Sequence, residues 1–438
     1  MTTPIGANLS RVGNYSPSNP PGYTAPPATA FEAPRATPEL PEMTQHGLSY
    51  YVATTGDDQK DGKSLDTAWR TLQHAVQATA PGDSILVAGG EYEGFFVDDP
   101  AVSGHADNWK SLRALDMADK PVINRPGAAC PQNRQSGLLL MGTAQGRIGF
   151  WLFEGLIVRD APCWGMDFVF CTNMTVRHCE AYDNGREKTC TGFFAAYVDY
   201  YWVENCYSQG NSEHGYYHNN SPSHFIYRNN VSVGNGGCGF HLNGDFDFGP
   251  PGLNHDGLYE NNLAISNGAR HGGASFNLSG LHHGVFRNNL AFDCKAGGLT
   301  FYQGNSGDTS RGIDVYRNTV VMSATTNYIA VNFDRDGCYP DVDPGQDYDN
   351  PFTGTPLNLR FAHNVICTLS DRKLLVEMQP RGGVKVLTEP DGVAFCDNLF
   401  DTDQAVATFD GAFDPALRAR WLQENRFELT KIDFQPPC

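Results

Sequence analysis

The sequence is poor in charge, in lysine and in long apolar runs, and each shortage excludes a class of protein. Only 18% of its 438 residues are Asp, Glu, Lys or Arg, and acids outnumber bases by 49 to 31, for a formal net charge of −18. Nucleic acids and anionic membranes are bound through basic patches, so neither is expected as a partner. No stretch of about 18 apolar residues occurs, so no segment is expected to insert into a bilayer. The opening Met1-Thr2-Thr3-Pro4 has neither a basic n-region nor an apolar h-region, so the chain is expected to be cytosolic or to have lost an export signal. The 12 cysteines include no CxxC pair, which removes the commonest zinc and thioredoxin-like signatures. Two readings of them stand, small buried residues stacked in a core or disulfides of an exported protein. Against these shortages stand 47 glycines and 12% aromatics, enough to turn often and to bury a sizeable core.

The chain divides into an arm, a body and an end. Residues 1–47 are rich in Pro, Ala, Ser and Thr, lack periodicity and read as an extended arm or linker. Tyr50-Tyr51-Val52 reads as a strand, and Asp66 or Thr67 is expected to cap a helix running to about Thr79, with Trp69, Leu72 and Val76 on one side. Pro81-Gly82-Asp83 stops it, and Ser84 to Val87 is the next strand. Residues 48–400 form the body, and residues 401–438, with a helical segment from Asp414 to Trp421, are expected to cover its open end.

The body repeats. Strands end in similar phrases: Val176-Arg177-His178-Cys179, Val203-Glu204-Asn205-Cys206, Tyr227-Arg228-Asn229-Asn230, Tyr259-Glu260-Asn261-Asn262, Phe286-Arg287-Asn288-Asn289, Tyr316-Arg317-Asn318-Thr319 and, more weakly, Phe361-Ala362-His363-Asn364. Over the first six, the third residue recurs every 24 to 32 positions. A second, alternating strand follows each Gly/Asn turn. Aligned on the preceding glycine, its inward positions are Phe193/Ala195, Tyr216/His218, Phe240/Leu242, Ala274/Phe276, Leu299/Phe301 and Ile329/Val331. Such periods of short strands and turns, without a helical stripe, predict an all-β fold: a right-handed parallel β-helix with an N-terminal capping helix and a C-terminal cap. The third-residue column from His178 to His363 is expected to be a ladder of amides bonded coil to coil. The column before it, Arg177, Glu204, Arg228, Glu260, Arg287 and Arg317, is expected to be a surface ion-pair ladder.

The segment from Tyr50 through Gly56-Asp57-Asp58, Asp61-Gly62, Trp69 to Val76, Pro81 to Val87 and Gly90-Glu91-Tyr92 resembles the capping helix and first coil of the pectate-lyase-like superfamily. The Asn-Asn corners, Glu213-His214-Gly215 and His241-Leu242-Asn243-Gly244-Asp245 resemble uncharacterised bacterial members of that group. The likeness covers roughly residues 48–400. It implies a carbohydrate-active protein, since the superfamily includes polysaccharide lyases, glycoside hydrolases, uronate epimerases and non-catalytic members. The calcium-binding Asp sets and the base Arg or Lys of the best-known pectate lyases do not map onto this chain.

The candidate chemistry lies on the outward face of the second strands, a groove suited to an extended polymer. Tyr217, Asn219, His241, Asn243, Asn277, Tyr302 and Asn332 face outward there, with Gln303 and the inserted loop from Asp245 to Asp256 beside them. Eight of the 13 histidines (His214, His218, His224, His241, His255, His271, His282 and His283) fall within residues 214–283. β-Elimination from a uronate needs a group that neutralises the carboxylate, a base for the C5 proton and an acid for the leaving oxygen. Asn219, Asn243 and Asn277 supply amide donors, His241 or Lys295 a base, and Tyr217 or Tyr302 an acid. His214 and His271 can reach the same rim, whereas His218 is expected in the core. A hydrolase would instead use two carboxylates from Asp245, Asp247, Asp256 and Glu213. His214, His255 and His271 with those aspartates can be set against a transition metal, and the acidic run Asp334 to Asp349 against Ca2+. The expectation is a secreted or periplasmic lyase acting on an acidic polysaccharide. A glycoside hydrolase of the same fold and a non-catalytic glycan-binding protein are its rivals.

Overall fold

The computed structural model describes residues 43–220, 223–245, 252–304, 306–323, 326, 328–334, 357–362 and 364–367, and beyond these six short strands between Leu375 and Phe434. The arm before Met43, Asp247 and most of the expected C-terminal cap lie outside these residues. No helix among the described residues is long and apolar enough to cross a membrane.

Three long sheets of 12, 11 and 11 described strands run along the molecule, each built from every third strand. Apart from the antiparallel pair Leu375–Gln379 and Gly383–Lys385, their pairings are parallel. The chain is a right-handed parallel β-helix, one strand per sheet per coil. The inward positions fill its core: Phe193, Tyr216, Phe240 and Phe276 stack along the axis with ring centroids 4.8, 4.6 and 4.8 Å apart and planes within 7°. Tyr227 and Tyr259 form a second stack at 5.1 Å. His218 lies among these rings, its Nε2 3.3 Å from Val198 O on the preceding coil, and burial pushes its pKa down to about 3.

Near the N-terminus the helix is shorter than expected and begins later, at Leu72–Ala78. Asp58 accepts bonds from the Arg70 and Thr71 N–H groups and from Thr71 Oγ1, while Ser64 caps a separate 3₁₀ turn, Leu65–Thr67. The chain between them is thus held extended, and Trp69 bridges to Val52 and stacks on Tyr50 at 4.7 Å.

The corners of the coil correct the expected ladder by one residue. The column His178, Asn205, Asn229, Asn261 and Asn288 is half-buried and adopts the left-handed conformation, φ 51–56°. The amide ladder that bonds coil to coil is the next column, Asn230, Asn262, Asn289, Asn318 and Asn364, all buried, with Cys179 and Cys206 at the same place in earlier coils. Asn318 therefore belongs to this ladder and Arg317 (φ 55°) to the left-handed column. Phe286 pairs with Val315, not Tyr316, so the sixth phrase starts one residue earlier than the aromatic residue suggests. Tyr316 takes the next rung of the ion-pair ladder, its Oη accepting from Arg287 at 2.9 Å, and Arg317 is not in it. Of the rungs before it, Glu204–Arg228–Glu260–Arg287 hold as expected at 3.3, 2.8 and 2.6 Å, whereas Arg177 pairs at 2.6 Å with Glu154 of the preceding coil, which also holds Arg113 at 2.7 Å. A second buried ladder, Asn184–Asn211–Asn235–Asn267, runs along another corner. The eight cysteines from Cys130 to Cys294 are buried free thiols.

Candidate functional site

The groove sheet contains the strands Met166–Val169, Phe193–Ala196, Tyr216–Asn219, Phe240–Asn243, Ala274–Ser279, Gly297–Tyr302 and Val331–Asp334. Its register sets Asp167, Phe194, Tyr217, His241, Asn277, Thr300 and Asn332 side by side in one outward column. Asn219 and Asn243 share the next column. Alternation predicts Asn277 beside Asn243, but Asn277 pairs with His241, two residues away from that alignment. Ser275, not Gly273, stands where Gly215 and Gly239 stand, because Gly272 and Gly273 (φ 75° and 91°) belong to the turn. A two-residue slip keeps the face and changes the column. The same slip moves Asn332 beside Thr300.

The slip assembles a network that the expected columns would not make. The Asn277 amide nitrogen lies 2.8 Å from His241 Nδ1 and donates to Tyr302 Oη at 2.8 Å. Asn243 Nδ2 donates to Tyr217 Oη at 3.3 Å. The rings of His214, Tyr217 and His241 pack together, with centroids 4.6–5.1 Å apart. Both tyrosine oxygens accept from amides. Burial holds His241 neutral, its pKa pushed down to about 4, and raises that of Tyr217.

His214 is also held neutral by burial. Its Nδ1 accepts from the Cys238 backbone N–H at 2.8 Å, so the neutral ring carries its proton on Nε2 and is a donor. Asn277 decides the tautomer of His241. With its amide nitrogen toward the ring, His241 donates from Nε2; turned by 180°, its carbonyl takes the Nδ1 proton and frees Nε2 as a base.

The other expected residues are dispersed. Asn219 is half-buried, and its Oδ1 has no hydrogen-bond partner among the described residues. Asp245 is buried at the end of the His241 strand. Gln303 is buried too, its amide donating to Ser306 O within a turn. Lys295 forms an ion pair with Asp293 at 2.7 Å and bonds to Ser323 Oγ at 3.3 Å. His271 is exposed in a turn, its backbone N–H donating to Gly236 O of the preceding coil. Asp256, with His224 3.8 Å away, belongs to a different sheet, as do His255, His282 and His283, so the histidine-rich segment feeds two faces and the core. The Asp245–Asp256 pair of the hydrolase reading is not assembled.

One acid outside the expected lyase set belongs here. Glu213 lies 3.5 Å from His214 Nε2, and burial pushes its pKa up to about 7. Its place directly before His214 was the available signal, but nothing in the sequence shows its burial.

No family model matches the chain. By sequence it is 28% identical over 244 residues to mannuronan C5-epimerase AlgE5 of Azotobacter vinelandii, a match covering 46% of this chain and 24% of that protein. The match spans about a quarter of the relative's length. Among solved structures, pectate lyase Pel9A superposes with a TM-score of 0.50 at 16% identity, over 79% of this chain and 80% of that one. A rhamnogalacturonan lyase superposes with a TM-score of 0.50 at 15% identity, over 78% and 87%. The fold is that of the pectate-lyase-like β-helices.

The ligand cluster found among the described residues does not fit a metal. His214, Cys238 and His241 bring ligand atoms within 4.8 Å of one another. This nitrogen and sulfur set is wrong for Ca2+, which takes oxygen ligands. A transition metal needs a lone pair on each imidazole, and that of His214 is bonded to a backbone N–H. The acidic run between Asp336 and Asp349 lies outside the described residues.

Proposed function

We propose that the chain cleaves a uronate-containing polysaccharide in the groove by β-elimination. The observation that carries this reading is the His241–Asn277–Tyr302 network on one outward face, with His214 and Tyr217 against it. The His214 Nε2–H and the Asn243 amide are donors for the sugar carboxylate, whose neutralisation acidifies the C5 proton. His241, with Asn277 turned to accept its Nδ1 proton, takes that proton at Nε2. The C4–O bond breaks, its electrons leave with the oxygen, a C4–C5 double bond forms, and Tyr302 or Tyr217 supplies the proton to the leaving oxygen. Such a polymer is met outside the cytoplasm, so the reading carries a secreted or periplasmic location.

Epimerisation at C5 is the second reading, favoured by the name of the curated relative. It shares the proton abstraction but returns a proton to the opposite face of the ring. The described polar groups rise from a single sheet, which favours elimination. The test is incubation with a panel of acidic and neutral polysaccharides in deuterated water, following ultraviolet absorbance, reducing ends and C5 deuterium. Rising absorbance with new ends is the expected result. Deuterium without cleavage would establish the epimerase, and new ends without absorbance a hydrolase.

Glu213 gives the reaction an expected pH dependence. Its carboxyl is neutral below about pH 7 and becomes a carboxylate beside the substrate-binding donors above it. KM for an acidic polymer is therefore expected to rise above pH 7, and Glu213→Gln to abolish that rise; an unchanged KM profile in the variant overturns the assignment. The raised pKa also means that the folded chain holds this proton more tightly than the unfolded chain does. Its contribution to stability is full below the ordinary carboxylate range and is lost as pH climbs through about 7.

A further inference from the structure

The coils that precede Tyr217 carry an apolar shelf outside the helix. Val169, Phe194 and Ala196 form a buried cluster separate from the core, and Trp164, Phe170 and Tyr197 pack half-buried against it. Phe170 and Tyr197 stack face to face at 4.3 Å. The guanidinium of Arg134 sits 4.6 Å from the Trp164 ring centre and 5.3 Å from that of Phe194. Fully buried Asp167 fixes it there through bonds of 2.7 and 2.8 Å and compensates its charge. The shelf is continuous with the candidate site, since Phe194 packs edge-on to Tyr217 at 5.3 Å and Tyr217 packs on His241. Beyond His241 the same column continues as Asn277, Thr300 and Asn332. The groove thus changes from aromatic to amide and hydroxyl at His241.

We propose that the aromatic shelf is a sugar-stacking subsite for the glycosyl units next to the one that reacts, so that the polymer lies along the helix axis with one arm stacked and the other hydrogen-bonded. Pyranose rings are amphipathic, with C–H groups on a face and hydroxyls at the rim, and a half-buried aromatic row offers the complementary apolar surface. Coils recur about every 4.8 Å, close to the length of one sugar unit, so successive units meet successive coils. Because Asp167 compensates Arg134, the shelf reads the ring face and not the carboxylate. The acidic nature of the polymer rests on the proposed function; the stacking does not.

The test is binding of acidic and neutral oligosaccharides of increasing length, by calorimetry and tryptophan fluorescence, alongside turnover of the acidic polymers. Affinity of the wild-type chain is expected to climb with length. Trp164→Ala is expected to lose about tenfold on the long oligosaccharides and nothing on the shortest, with Trp164→Phe retaining most of the affinity. Tyr197→Ala, on another ring, is expected to show the same length dependence, and thermal melts check that each variant folds. Uronates bound and turned over with unchanged affinity in both alanine variants would overturn the shelf and leave the lyase reading standing. Neutral glycans alone binding, with the same dependence on Trp164, would support the shelf and remove the acidic polymer. No binding of any glycan by the wild-type chain overturns both.

Discussion

Tyr302→Phe is expected to lower turnover of a uronate polymer by about 10²–10⁴-fold with little change in KM. The substitution removes one oxygen and keeps the ring in place. That oxygen lies 2.8 Å from the Asn277 side-chain atom that also meets His241; with Asn277 turned so that His241 is the base, the Asn277 carbonyl takes this place and holds the Tyr302 hydroxyl until the leaving oxygen takes its proton. His241→Ala is expected to cost a similar factor by removing the base. The double variant should be little worse than either single one, because acid and base serve the same elimination. Initial rates by absorbance and reducing ends decide the matter. Loss with His241→Ala but full activity in Tyr302→Phe would transfer the acid role to Tyr217, the other hydroxyl with an amide behind it.

The fold was legible in the sequence because the β-helix writes its period into every coil. Alternation separated inward from outward residues along the groove strands up to Tyr302, and even two-residue errors could not spoil it, since strand parity is two; it failed at Ile329, which is half-buried, and Ala330, which lies in the core. The same tolerance hid the site. Counting from the nearest glycine works for Gly192, Gly215 and Gly239, but the turn before Ala274 holds two glycines in left-handed conformations, and only the pairing of Phe276 with Phe240 shows which residue begins the strand. The contact between Asn277 and His241 follows from that register. The histidine concentration misled for a related reason: neighbours in sequence distribute over three sheets, so His224, His255 and His282 face away from His214 and His241. Glu213 was read only as a hydrolase carboxylate because its perturbation is a matter of burial, and charge patterning does not record burial.

Asn262→Ala is expected to destabilise the chain by about 3–5 kcal/mol, whereas Asn261→Gly, one residue earlier, is expected to change stability by less than about 1 kcal/mol. Asn262 is fully buried. Its Oδ1 accepts from the Asn230 backbone N–H at 3.1 Å and from Asn230 Nδ2 at 3.0 Å. Its Nδ2 donates to Tyr227 O at 2.7 Å and to Asn289 Oδ1 at 3.0 Å. Truncation leaves the Asn230 N–H of the preceding coil buried without its partner, at about 1–3 kcal/mol, takes a bond from the Tyr227 carbonyl of the same coil, and breaks the chain of amides from both sides. Asn261 is half-buried at φ 55°, a conformation that glycine adopts without strain, and its side chain makes one bond, of 3.2 Å, to Asn229 Oδ1. Denaturant midpoints of the two variants measure the difference directly. Equal losses would mean that the corner is held by both columns, and a larger loss at Asn261 would restore the ladder to the column that the sequence repeat suggests.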